Sequence, residues 1–446
     1  MLKKHLAFFS KPNLAWYLFA IFSISSLSNA APVGGEVTSG TAQISQLGNT
    51  TNITQETANV SLSWQSFNIG SSETVNFLQP SSSSIAINRI FDTNGTQILG
   101  HLNANGQVYL INPNGILFGQ GSQVNVGGLV ASTLDLSDDS LSSNIRSFSG
   151  SGSGYIINQG TLTASPGGYI ALLGNQVINQ GYITAQLGTV ALGAGSAASL
   201  TFDGNSLLSL QVDQSTLDNL AANNQLIQAD GGQVIMTAGA SDSLLASVVN
   251  NTGVIQAQTV EDKSGTIRLV AGMTAGTTNL DGTLDVSAPN GGNGGFIETS
   301  AAQVNIADTA AITTFAPSGV DGVFLTSFLV QVGPIVDPII IVDPIFFLDS
   351  VEFWITDLTI LRNMESPIGH TNDAFMTLSS APNNNQIDGI LSLRNLVAGD
   401  TVTGALSSKT FRVDTLGSLS DLAKINNVNL TFTKSSSDDE NINTYK

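Results

Sequence analysis

The sequence has no cysteine, little charge and few cations. Without cysteine the 446-residue chain can neither close a disulfide nor hold a thiolate metal site. Its stability must come from an apolar core and backbone ladders, which a chain of this length can supply. Charged residues make up 11% of it, against roughly a quarter in ordinary globular domains. Gly, Ser, Thr and Asn take their places. Fourteen Lys and Arg stand against 33 Asp and Glu, so the chain repels nucleic acid and anionic lipid, and no nucleic-acid partner is expected.

Between Arg146 and Lys263 there is no Lys, Arg or His. That stretch therefore lacks any general base stronger than a carboxylate and any oxyanion clamp. No Gly-x-Ser-x-Gly elbow, P-loop or dinucleotide fingerprint occurs. Asp203 and Asp213 are close in sequence but belong to a Ser/Asp-rich insertion. Gly291-Gly292-Asn293-Gly294-Gly295 is similar to a calcium-binding β-roll, with Phe296 where that repeat needs Asp. His101 has no second histidine, cysteine or tyrosine cluster near it in sequence, which leaves it a weak haem-ligand candidate. The chain is read as non-enzymatic, with no cofactor and no metal.

The first residues carry targeting information. Lys3, Lys4 and Lys11 precede an apolar stretch from Leu14 to Leu27, and Ser28-Asn29-Ala30 offers small residues to a signal peptidase. Residues 1–30 are expected to be a signal peptide. Losing its three lysines leaves 11 basic and 33 acidic residues, a net charge of −22.

Beyond it, short segments alternate apolar and polar residues with period two, as half-buried strands do. Examples are Val60-Ser61-Leu62-Ser63-Trp64 and Thr74-Val75-Asn76-Phe77-Leu78. From Tyr155 a repeat emerges: Asn158-Gln159-Gly160-Thr161-Leu162-Thr163-Ala164 returns as Asn179-Gln180-Gly181-Tyr182-Ile183-Thr184-Ala185, 21 residues later. The unit returns at Asn224 and Asn251, and a last, looser copy begins at Leu280. Each unit is turn, short strand, glycine corner, short strand, and none can bury its apolar face alone. Stacked units would place Asn over Asn and fill the interior with Val108, Leu110, Ile170, Ile183, Val234, Ile255 and Ile267. Leu217 to Ala221 and Asp242 to Val249 are expected to be short helical pieces that interrupt the series.

One stretch organises the chain. Gln107 to Ile111 is a short apolar strand, Asn112-Pro113-Asn114-Gly115 breaks it, and Ile116-Leu117-Phe118 resumes it. Proline presets φ at the second turn position, and Asn and Gly accept a left-handed backbone. On turn chemistry alone this is a well-formed reversal. Together with Leu117-Phe118-Gly119 and Val126-Gly127-Gly128-Leu129-Val130-Ala131-Ser132, it resembles the secretion domain of the filamentous haemagglutinin family, over about Pro32 to Ala316. Those proteins are the exported partners of two-partner secretion systems. The resemblance implies an all-β, right-handed parallel β-helix with an N-terminal cap, exported through the periplasm and secreted or held at the outer surface. It also implies an outer-membrane two-partner-secretion transporter as partner, with Asn112, Pro113, Asn114, Gly115 and Ile116 as the secretion motif. A haemagglutinin-type adhesin with a host or bacterial cell-surface ligand is the first function implied; a haem- or iron-scavenging exoprotein is the alternative.

The expected organisation is a secretion domain over 31–318, with a continuous helix from Val37 to Thr314 whose strands over 31–97 form the cap. An apolar linker with Pro and Asp follows over 319–350, then a small β module over 351–434 and a disordered tail over 435–446.

Overall fold

The computed structural model describes residues 31–332 except 138, 139, 142, 215–217, 240–245 and 274, together with strand segments between 345 and 433. The signal segment 1–30, most of the 333–350 stretch and the tail from 434 lie outside the described residues. From 345 on, the described strands pair antiparallel, as in Gln386–Leu393 with Asn427–Thr433.

The rest is a parallel β-helix. Each coil gives one short strand to each of three faces. The first face stacks Thr50–Gln55, Thr74–Leu78, His101–Ala104 and their successors up to Ala311–Thr313. The second runs from Asn59–Trp64 and Ile85–Ile90 through Gln107–Ile111 to Val323–Val332. The third runs from Thr96–Ile98 through Ile116–Phe118 and Tyr155–Asn158 to Gln303–Ile306. Period-two alternation sends every second side chain into the bore. Val108, Leu110, Ile170, Ile183, Val234, Ile255 and Ile267 all lie there, fully buried in one continuous core.

Three readings need correction. Asp218–Asn223 and Ala246–Asn251 are strands of the third face, not helical pieces; Leu217 and 242–245 lie outside the described residues. Coil-to-coil register outweighs local preference here, because Asn223 and Asn251 must sit over Asn179. The cap is also smaller than the pattern over 31–97 suggests. Only Glu36–Ser39 and Ala42–Leu47 pair antiparallel, and the parallel ladder already begins at Thr50. Finally, the apolar stretch after 319 opens with one more rung, Val323–Val332, parallel to Phe296–Ala301. Its first proline comes only at Pro334, so nothing before that breaks a strand.

Two columns tie the coils together. Asn158, Asn179, Asn223 and Asn251 are fully buried, and each side-chain amide donates to the next asparagine's Oδ1 at 2.8 Å. The Oδ1 atoms of Asn158 and Asn179 also accept the backbone N–H two residues on, closing the turn. At the corner between the first and second faces, Gly127, Gly168, Gly188 and Gly232 stack. A Cβ on Gly168, Gly188 or Gly232 would lie 1.9–2.1 Å from a neighbouring coil's carbonyl oxygen.

Outside the bore, two insertions leave the solenoid between its second and third faces. They form a four-stranded antiparallel sheet of Asp135–Leu136, Ile145–Ser149, Ala197–Asp203 and Ser206–Gln214. This sheet covers the outer side of the second face and closes a second core, where Tyr109, Val130, Tyr169 and Ala191 meet Phe148, Leu200 and Phe202. The strands beneath are apolar on both sides for that reason. Within this layer the Tyr109 and Tyr169 hydroxyls are 3.0 Å apart. Tyr169 donates to Gln107 Oε1 at 2.6 Å. Burial pushes both phenols above the ordinary tyrosine value, Tyr169 well above it, and the neighbouring Arg146 guanidinium offsets this only in part.

Two predictions follow from these columns and this layer. Asn179→Ala strips partners from two buried amides, so it is expected to cost about 1–3 kcal/mol in urea unfolding; Asn52→Ala, on the outer surface, should stay within about 0.5 kcal/mol. An equal cost for both would refute the ladder's role. For the tyrosines, the unfolded chain loses its phenolic protons near pH ~10 while the folded chain keeps them. Stability is therefore complete below that value and falls as pH rises through it toward the raised folded values. Tyr169→Phe removes one such group, and its urea midpoint should fall less steeply above pH ~10 than the parent's.

Candidate functional site: the Asn112–Ile116 turn

The motif sits where the second face hands over to the third, between Gln107–Ile111 and Ile116–Phe118. Gly115 N–H donates to Asn112 O at 3.0 Å, which closes a four-residue turn. Gly115 has φ +106°, where an L-side chain is strained, and a Cβ there would lie 2.9 Å from Tyr155 O.

Asn112 is fully buried and does most of the bonding. Its Nδ2 donates to Asn94 O at 3.1 Å and Thr96 Oγ1 at 2.9 Å, both in the preceding coil's corner. Its Oδ1 accepts Asn114 N–H at 2.9 Å, an Asx turn. Asn114 Nδ2 donates to Asp92 O at 2.7 Å. On the other side Gly154 N–H donates to Pro113 O at 3.2 Å. The turn is thus one layer in a stack of three corners. Ile116 points into the bore, in register with Thr96 and Ile156.

Of the five motif residues, Asn112, Gly115 and Ile116 are buried, and only Pro113 and Asn114 face solvent. Beside them lies a shallow cleft of about 290 Å³, whose lining includes Thr93, Asn114, Ser153 and half-exposed Tyr155. Its lining side chains carry no charge, so the cleft offers hydrogen bonding and an aromatic face and no acid–base pair.

Asp203 and Asp213 stand at opposite ends of one hairpin, Asp203 opposite Ser206 at its turn, while Asp213 Oδ2 accepts from Ser199 Oγ at 2.6 Å. The Gly291–Gly295 loop packs through Asn293, whose carbonyl accepts from Thr259 and Ser264. His101 lies half-buried on the first face, and it is the one histidine among the described residues. Among the described residues no three His, Cys, Asp or Glu side chains gather as a metal site. What the sequence reading missed is the buried Arg146–Tyr109–Tyr169 group. Its signal was there: Tyr109 and Tyr169 sit at outward positions of the apolar runs 108–111 and 169–173.

Comparison with known proteins places this architecture. The family model of the TPS secretion domain matches residues 28–286, more than half of the chain. A heme/hemopexin-binding protein of Haemophilus influenzae strain Rd is 35% identical over 255 residues, covering 54% of this chain and 27% of that protein. A second heme/hemopexin-binding protein of Haemophilus influenzae is 33% identical over 243 residues, covering 49% and 26%. The match thus spans about a quarter of the length of these relatives. The crystal structure of the HMW1 secretion domain from Haemophilus influenzae superposes with a TM-score of 0.51 at 25% identity, covering 63% of this chain and 98% of that one. The chain belongs to the TPS secretion domain family: it is an exoprotein of two-partner secretion, carried across the outer membrane by a dedicated transporter.

Proposed function

We propose that the transporter reads Asn112, Pro113, Asn114, Gly115 and Ile116 while the chain is still extended, and that the exported solenoid then acts as a filamentous-haemagglutinin-type adhesin. The observation that carries the first half is the burial of the motif once folded. Asn112, Gly115 and Ile116 are covered, so a partner meets all five residues together only before the coils stack. The second half draws on the long polar first face, where Asn52, Asn76, Asn103 and Asn125 form an outward ladder with amide contacts of 3.0–3.2 Å. Such a face presents hydrogen-bonding groups at regular spacing to a neighbouring surface. A non-enzymatic role agrees with the separation of Asp203 from Asp213.

The test uses two alanine variants. Asn114→Ala loses one exposed bond and should cost about 1 kcal/mol or less, whereas Asn112→Ala should cost about 1–3 kcal/mol because its partners are buried. Both are expected to accumulate in the periplasm, and Asn114→Ala should do so with an almost unchanged urea midpoint after refolding. Normal secretion of Asn114→Ala, measured as the ratio of extracellular to periplasmic protein, would reduce the motif to a turn.

The names of the two relatives favour a second reading, a haem- or iron-scavenging exoprotein. Against it, His101 lacks a partner of its own kind among the described residues. Titrating the mature chain with haemin is expected to give no sharp, stoichiometric Soret shift. A shift at one equivalent would put the scavenger reading first.

A further inference from the structure

A parallel solenoid is held coil by coil, each turn touching only its neighbours. The outer antiparallel sheet departs from that rule. Its first half, Asp135–Leu136 and Ile145–Ser149, leaves the coil that begins at Gln123. Its second half, Ala197–Asp203 and Ser206–Gln214, leaves two coils later, and the halves pair from Ile145 with Thr201 to Ser149 with Ala197. The inner side of the sheet shares one buried cluster with coil residues from Ile85 to Ile235.

At its centre is Arg146, 7% exposed. Its Cζ lies 3.9 Å from the Phe202 ring centroid, and Nη1 donates to the Tyr109 hydroxyl. No carboxylate pairs with it among the described residues, and its Nε is buried without a partner. A directional chain continues from there: Tyr109 to Tyr169, Tyr169 to Gln107, and Gln107 Nε2 to Asn205 Oδ1 at 3.3 Å, at the tip of the second hairpin. Tyr109 and Tyr169 belong to coils that are not adjacent. They reach each other across Gly128, where a Cβ would lie 2.7 Å from the Tyr169 ring. At the rim, Arg89 holds Asp135 at 2.9 Å and Leu136 O at 2.9 Å. Between 32 and 327 the chain has only Arg89, Arg146, Lys263 and Arg268 as fixed cations, and two of them fasten this sheet.

A buried guanidinium without a carboxylate adds little stability for its desolvation, but it demands one geometry from its acceptors and ring partners. We infer that the antiparallel sheet is a latch that joins the coils from Ile85 to Ile235 into one cooperative unit, with Arg146 as the positioning residue that fixes how it closes. Coils after Ala238 open independently of it. Coils inside it open only once Arg146 leaves Phe202 and Tyr109.

Hydrogen exchange of the full mature chain under native conditions tests this. In the parent, amides of Ile85–Ile90, Gln107–Ile111 and Gln233–Ala238 should exchange at one common slow rate, and those of Thr266–Ala271 and Phe296–Ala301 faster. Arg146→Ala should speed all the latched strands together by about tenfold or more, including Gln233–Ala238, while the later strands keep their rates. Acceleration confined to Ile145–Ser149 and Gln107–Ile111 would make Arg146 a local packing residue and overturn the latch. Should Arg146→Ala fail to fold, Asp135→Ala at the exposed rim should produce a smaller acceleration over the same latched strands. An effect limited to residues beside 135 would overturn it equally.

Discussion

Coil-to-coil register is the constraint on which the rest of this protein depends. Along the solenoid's strands the backbone N–H and C=O groups pair with the coils above and below, so an interior strand cannot shift without unpairing two neighbours. The same register brings like residues together. Stacked amides at Asn158, Asn179, Asn223 and Asn251 bond to one another because the ladder leaves them no other position. Apolar residues of successive coils meet in the bore, and one continuous core forms from segments as short as Val254–Gln256.

That constraint explains what was legible in the sequence and what was not. The 21-residue spacing of Asn158 and Asn179 is the true register, and the inward set from Val108 to Ile267 follows from period two. Leu217 to Ala221 and Asp242 to Val249 look helical in isolation; the strand state of Asp218–Asn223 and Ala246–Asn251 comes from the coils on either side, which single-segment patterns do not contain. The outer sheet was hidden differently. Residues 108–111 and 169–174 are apolar at inward and outward positions alike, which signals burial on both faces, but nothing local says which part of the chain supplies the cover.

The motif shows the same division. Its turn chemistry was readable from Asn112-Pro113-Asn114-Gly115 alone. Its depth was not, since Asn112 is buried by Asn94 and Thr96 of the preceding corner, 16–18 residues earlier in the chain. Under the proposed function one asparagine, Asn112, meets two demands that apply at different times: contact with the transporter in the extended chain and bonding in the stacked corner.

The glycine column at the first corner bears on how such a chain can vary in length. Gly168, Gly188 and Gly232 leave no room for even a methyl group against the carbonyl of an adjacent coil. Extra residues still enter on its N-terminal side, where four residues separate Gln228 from Gln233 but nine separate Gln256 from Thr266, and a glycine, Gly265, again precedes the second-face strand. The corner between the second and third faces carries no such column, and there the chain has accepted two insertions of unrelated sequence, 133–154 and 195–217. Length can therefore vary along both edges of the prism, as a separate sheet at one and, at the other, as a loop that must come back through a glycine such as Gly265 or Gly295.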